Sequence, residues 1–201
     1  MQHWDWLMRR LLTALTFFLA AAPALAAAEP TPSEQAVATG PRDLRLRAEE
    51  HLKADRRAEG LALMKAAARG GDNLALIKLE QMRLSKVADA PSLSDMVEIE
   101  IARAEDGDAV AAWRLAQRYE TGDGVKASSK DMVRWLQVAA SKTVEEFPKA
   151  ADAAYRLCEA YGRGAGVPVD EAAAQSWCAR AAGGGHPGAV MVIARLRGVD
   201  G

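Results

Sequence analysis

The sequence predicts an all-α protein: an α/α solenoid of about four antiparallel helical hairpins with a C-terminal capping helix. Three observations predict it. A helical motif recurs, as AAWRLAQRYETGDGV from Ala111 and AAYRLCEAYGRGAGV from Ala153, 42 residues apart. Each copy leads into a second helical stretch whose tryptophan keeps the same interval, Trp135 in DMVRWLQVAA and Trp177 in AAAQSWCARAA. The turn glycines Gly122 and Gly124 return as Gly164 and Gly166. A period of this length marks helical hairpins. A lone hairpin cannot bury its apolar face, so hairpins stack on their neighbours, and such arrays usually bind other macromolecules.

The N-terminus reads as a targeting segment. Arg9 and Arg10 precede the apolar run LLTALTFFLAAA, and Ala24 and Ala26 flank Leu25 after Pro23. This is the charged, apolar, small-residue order of a secretory signal peptide. The run is shorter than the ~18 residues a membrane span needs. Residues 1–26 are therefore expected to be removed, with cleavage after Ala26 and no membrane span afterwards. Residues 27–41, AAEPTPSEQAVATGP, are rich in Pro, Ser, Thr and Ala without apolar periodicity and read as a disordered linker. Residues 42–201 form the repeat domain. The expected location is periplasmic or secreted.

Within that domain the register runs position by position. The central apolar residue of each first helix is Leu79, Leu115, Leu157 and Ile193; that of each second helix is Leu63, Ile99, Trp135 and Trp177. The spacings are 36 or 42, and the six extra residues fall in SKTVEEFPKA, where Pro148 marks a longer loop. Ser92, Ser128 and Asp170 each stand seven residues before their second-helix apolar position, as N-caps. Asp95 and Asp131 follow the serines by three, a carboxylate form of the capping box. Ala67–Ala68, Ala139–Ala140 and Ala181–Ala182 supply small residues where helices approach closely. The first two hairpins fit less well: Lys86 and Ala88 replace the turn glycines, and the turn at Lys53 to Arg57 is short. The segment PGAVMVIARLR, about 187–197, completes the array as a cap.

The pattern A-x-W/Y-x-L-small-x-x-Y-x-x-G-x-G-V, followed by Asp or Ser and then W-x-x-x-A-A, resembles the Sel-one-like repeat (SLR) family, relatives of the tetratricopeptide repeats. Residues 105–141 and 147–182 carry the resemblance closely; 73–104 and 42–70 carry it loosely. The resemblance implies an α/α solenoid with an interaction role and names no partner. In cysteine-rich relatives a bridge joins the two helices of one repeat, at positions matching Ala154 and Ala182. One helical turn inward on both helices stand Cys158 and Cys178, which the resemblance and an oxidising location point to as a disulfide. As free thiols the two would be ordinary core residues.

Chemistry has few candidates. The run GRGAGV at Gly162 to Val167 follows a helix and lacks the Lys-Ser/Thr of a phosphate loop, so it reads as a hairpin turn. His51 and His186 have no Glu or Cys set at metal-ligand spacing, and no metal or cofactor is expected. Neither a G-x-S-x-G elbow nor an S-x-x-K pair occurs. That matters because some cysteine-rich members of the family have been linked to β-lactams, which makes a β-lactam-binding or -hydrolysing protein the competing class. The chain carries 26 basic and 27 acidic residues without a basic run, which argues against nucleic acid.

The reading is thus an exported, non-catalytic scaffold for a protein or peptide partner, or an envelope polysaccharide, acting as a regulatory or assembly adaptor. With Ala112, Leu115, Ala116 and Tyr119 turned to the core, the 100° step places Trp113 and Gln117 on the opposite side. The corresponding residues are Ile77 with Gln81, and Tyr155 with Glu159. Matching positions line the groove in tetratricopeptide relatives, so the resemblance points the same way. Lys78, Arg114 and Arg156 run beside the row as a basic flank. An aromatic in this row also serves to pack adjacent first helices together.

Overall fold

The computed structural model describes residues 40–196; the signal-peptide expectation and most of the linker lie outside them. The described residues are helical throughout, with no strand. Four hairpins follow one another: α1 (Pro41–Lys53) with α2 (Arg57–Arg69), α3 (Asn73–Leu84) with α4 (Leu93–Glu105), α5 (Ala109–Thr121) with α6 (Ser129–Ala140), and α7 (Ala150–Arg163) with α8 (Glu171–Gly183). The single helix α9 (Pro187–Leu196) ends the array. Hairpins are joined by three residues, except at 141–149, where nine residues hold the six-residue insertion. Phe147 in that loop is buried against the core, so the insertion is anchored.

Side-chain caps start α3, α4, α5, α6, α8 and α9, while α1, α2 and α7 begin without a side-chain cap hydrogen bond. Ser92 and Asp95 form the full reciprocal box at α4: the Asp95 amide donates to Ser92 Oγ at 3.1 Å, and the Ser92 amide donates to Asp95 Oδ2 at 2.8 Å. At α6 only half of the expected box forms. Ser128 Oγ accepts from the Asp131 amide, but the Ser128 amide donates to the Tyr119 carbonyl at 2.9 Å, leaving nothing for Asp131 to accept. Asp170 caps α8. Asp72 and Asp108 cap α3 and α5, and His186 Nδ1 accepts from the Ala189 amide at α9.

Asp95 has a second partner. Lys65 of α2 donates to its Oδ1, tying the first hairpin to the second. The Lys65 ammonium, helped by the Ser92 hydroxyl and amide against the opposing effect of burial, pulls the Asp95 carboxyl from 3.8 down to about 2. A lowered folded-state pKa stabilises above the unfolded value, and that stability is lost as the pH falls through the folded value. The stability gap between the natural protein and Asp95→Asn is therefore expected to be constant above about pH 5 and to narrow between about pH 4 and pH 2. Urea denaturation across that range measures it; a constant gap would contradict the pairing.

The turns explain their glycines. Gly164 ends α7 with φ +74°, and Gly166, at φ +82°, lies so close to the Ser129 backbone that any side chain would collide with it. Glycine alone meets both demands cheaply. Lys86 stands in register with Gly122 and Gly164 and still adopts φ +49°. Left-handed backbone costs a non-glycine residue about 1–2 kcal/mol, partly offset by the chain entropy glycine loses on folding. Lys86→Gly is expected to stabilise the protein by up to about 1 kcal/mol, read as a higher urea midpoint.

The core consists of two clusters that meet at α4. Leu44, Leu63, Met64, Leu76 and Leu79 pack with Met96 and Ile99 from one face of α4. Val97 and Ala104 from another face join Leu115, Trp135, Leu136, Leu157 and Ala181. Leu79, Leu115 and Leu157 are all fully buried, as the register requires, while Ile193 in the cap is half-buried. Trp135 is buried, at 2 % exposure. Trp177, expected to be buried as well, is only half-buried. Among the described residues Trp135 is followed by a complete hairpin, and Trp177 by the single helix α9.

One hairpin differs from the rest. The helices of the first, third and fourth hairpins pack along their lengths, but α3 and α4 barely touch. The register gives the reason. In the fourth hairpin Cys158 faces Cys178, and the same two positions hold Ala116 and Leu136 in the third. In the second they hold Glu80 and Glu100. Two carboxylates cannot share an apolar contact without large desolvation and repulsion costs. The helices part, and each carboxylate takes an arginine.

Candidate partner-binding surface

The amphipathic pattern of the first helices sets this surface. On α5, Ala112, Leu115 and Ala116 are fully buried, which leaves Arg114 and Gln117 exposed and Trp113 half-buried. On α3, Ala75, Leu76 and Leu79 face the core, and Ile77 is 51 % exposed beside exposed Gln81. The parting of α3 from α4 opens a cleft of about 740 Å³ between α3 on one side and α4 and α5 on the other. Four of the residues expected in the groove line it: Ile77, Gln81, Arg114 and Gln117.

The remaining four are engaged elsewhere. The Arg156 guanidinium lies over the Trp113 ring at 5.5 Å and also pairs with Glu120. Tyr155 stacks on His186 with ring centroids 4.1 Å apart, beside Gly188 of α9. Glu159 accepts from Arg163 one turn on, at 3.1 Å. Along α7, therefore, the aromatic and basic positions join hairpin to hairpin and hairpin to cap. The basic flank is likewise partly consumed: Lys78 pairs with Glu49 and Arg156 with Glu120. Arg114 has no ion pair among the described residues.

The cleft also holds charged residues that sequence reasoning did not select. Glu100, 2 % exposed, accepts from Arg118 Nε at 2.6 Å, and Arg118 Nη1 reaches Asp123 at 2.7 Å. Arg103, 6 % exposed, donates through Nε to Asp108 at 2.8 Å and through Nη2 to Asn73 Oδ1 at 2.7 Å. Glu80 takes both a 3.0 Å and a 2.6 Å bond from Arg83, which hold its carboxyl below its usual range against the effect of burial. Burial pushes the Asp108 carboxyl up, but the amides of Ala111 and Val110 together with Arg103 outweigh it, and its pKa also falls. The available signal was the intrusion of Glu80 and Glu100 into a register of apolar and small residues.

Cys158 and Cys178 form a disulfide across the fourth hairpin, with Cα atoms 5.1 Å apart. The histidines have structural places. His51 Nδ1 lies 2.8 Å from Glu59 Oε2, and His186 caps and stacks as described. Among the described residues no group of three or more His, Cys, Asp and Glu is placed to hold a metal ion, and no helix is long and apolar enough to cross a membrane.

Stacked hairpins of this geometry, with a solvent-open cleft among the first helices, define an α/α repeat protein. The Sel1 repeat model matches residues 109–143 and 151–186, which are the third and fourth hairpins. The chain carries Sel1 repeats there. Among solved structures it is similar to a Sel1 repeat protein from Oxalobacter formigenes, at 26% identity and a TM-score of 0.45, over 60% of this chain and 88% of that one. It is also similar to a protective antigen present in uropathogenic Escherichia coli strains and displaying an SLR fold. That likeness has 19% identity and a TM-score of 0.52, covers 83% of this chain but 36% of the antigen, and concerns the fold alone. No curated protein matches the chain. Sel1 repeats generally mediate protein–protein interactions, and the family is typically a non-catalytic scaffold.

Proposed function

We propose that this protein is an exported, non-catalytic scaffold that holds a protein or peptide partner on its α3–α5 face, as a regulatory or assembly adaptor of the cell envelope. The observation that carries this reading is the cleft that unites Ile77, Gln81, Arg114 and Gln117. Aliphatic and arginine side chains beside amides suit a peptide, because they combine apolar area with directed donors. Export is supported by the signal-like N-terminus and by the Cys158–Cys178 bridge, since disulfides persist in oxidising compartments.

The test is site-specific cross-linking in the envelope. A photoreactive residue placed at Gln117 is expected to capture a defined partner. The same residue at exposed Gln175 on α8 serves as the comparison. Capture from Gln175 but not Gln117 would move the interaction to another face. A full-length, uncleaved product confined to the cytoplasm would end the export reading, and a polysaccharide adduct would redefine the partner.

A further inference from the structure

Acceptors and donors in the cleft are unequally matched. Its four carboxylates are already matched to guanidinium groups: Glu80 with Arg83, Glu100 and Asp123 with Arg118, and Asp108 with Arg103. What remains unmatched is donor capacity. Arg103 is more than nine-tenths buried in the cleft wall, and its Nη1 has no hydrogen-bond partner among the described residues. An unpaired buried donor on a charged group is costly and uncommon in a folded protein. Arg114, on α5 of the same wall, has no ion pair among the described residues, and the amide groups of Gln117 beside it and Gln81 across the cleft also line the space. Apolar surface flanks these donors, with Ile77 51 %, Leu84 64 % and Val110 47 % exposed.

From this we infer that the cleft between α3 and α5 takes a peptide carboxylate flanked by aliphatic side chains, with Arg114 as its principal ionic contact and Arg103 Nη1 as a donor at its base. The inference rests on the peptide-binding reading above and specifies the partner's chemistry. Guanidinium groups suit a carboxylate because their planar donors match its two oxygens. The aliphatic neighbours of the carboxylate cover Ile77, Leu84 and Val110. Nη1 of Arg103 is closed off from solvent, so the ligand reaches it as α3 gives way. The marginal contact between α3 and α4 leaves α3 the wall able to do so. The opening made by Glu80 and Glu100 is thus the binding feature of the array, and the disulfide-bridged hairpin at its far end is the rigid one.

The test uses the full chain and three fluorescein-labelled decapeptides: one with a Leu-Asp-Leu centre, and two with asparagine or lysine in place of the aspartate. The aspartate peptide is expected to bind about tenfold more tightly than the asparagine peptide, the usual worth of one charged hydrogen bond. Arg114→Glu is expected to abolish that preference and to favour the lysine peptide. Lys126→Glu, the same charge change on an exposed turn, is expected to leave the preference intact. In nitrogen-resolved NMR the side-chain signals of Arg103 and Arg114 are expected to shift with the aspartate peptide only. Equal binding of the aspartate and asparagine peptides, or equal effects of Arg114→Glu and Lys126→Glu, would overturn the assignment. If the asparagine peptide binds as well and Ile77→Asp weakens both peptides, the carboxylate assignment falls and the peptide-binding reading stands. If none of the three peptides binds, the assignment also falls, and cross-linking from Gln117 decides the broader reading alone.

Discussion

Trp135→Ala is expected to destabilise the protein by about 3–5 kcal/mol, the range for deleting a buried aromatic from a packed core. The ring sits at 2 % exposure between the third hairpin and α7, with the Arg134 guanidinium 4.5 Å from its centroid. The surrounding residues Ala139, Ala140, Ala153 and Ala154 are small and fully buried, so little side-chain mass is available to refill the space. Trp177→Ala, at the same position one repeat on, is expected to cost distinctly less because solvent already reaches part of that ring. Urea denaturation of both variants gives the comparison. Equal losses would mean that the end of the array is packed as tightly as its middle.

Joint replacement of Cys158 and Cys178 by alanine is expected to cost about 3 kcal/mol, because the bridge closes a loop of 20 residues and limits the unfolded chain. Each sulfur stands where the third hairpin has Ala116 or Leu136, so the alanine side chains fit without strain. The loss therefore belongs mainly to the unfolded state, and the helical content of the folded protein is expected to stay unchanged. The measurement is the urea midpoint of the oxidised natural protein against the double variant. A difference below about 1 kcal/mol would show that the hairpin is constrained as much by its packing as by the bond.

Much of the fold was legible because many positions agree at once. In the third and fourth hairpins the core leucines, the tryptophans, the turn glycines and the N-caps all keep one register, and each finds its expected place apart from Trp177 and the half-made Asp131 box. Those two departures have one cause: they depend on what comes next in space. Trp177 needed a following hairpin, and the Ser128 amide had a carbonyl nine residues back available to it. The row of first-helix positions proposed for the partner shows the same limit. The 100° step puts Ile77, Gln81, Arg114 and Gln117 on an open face, where they are found. It could not show that His186, 31 residues beyond Tyr155, would stack on that ring, or that Arg156 would cover Trp113. Glu80 and Glu100 were visible as misfits in a regular pattern. Their effect, a parted hairpin with a lined cleft, follows only when both helices are placed together with Arg83 and Arg118.

In a linear array, cooperativity passes from neighbour to neighbour, and each interface sets how strongly one unit's folding depends on the next. The near-absence of contact between α3 and α4 makes the second hairpin the weakest link of this chain. Opening there disrupts the smaller of the two core clusters, which α4 joins through Met96 and Ile99, and leaves the larger one in place, so the first three helices can unfold as a unit while the bridged C-terminal half stays intact. Native-state hydrogen exchange would then divide into two tiers, with faster amides in α1 to α3 and slower ones in α5 to α8. Sequence changes in the N-terminal half, Lys86→Gly among them, would act on the earlier of two unfolding steps, and changes in α5 to α8 on the later one. The two halves would thus be free to evolve under different constraints, one for permanence and one for yielding.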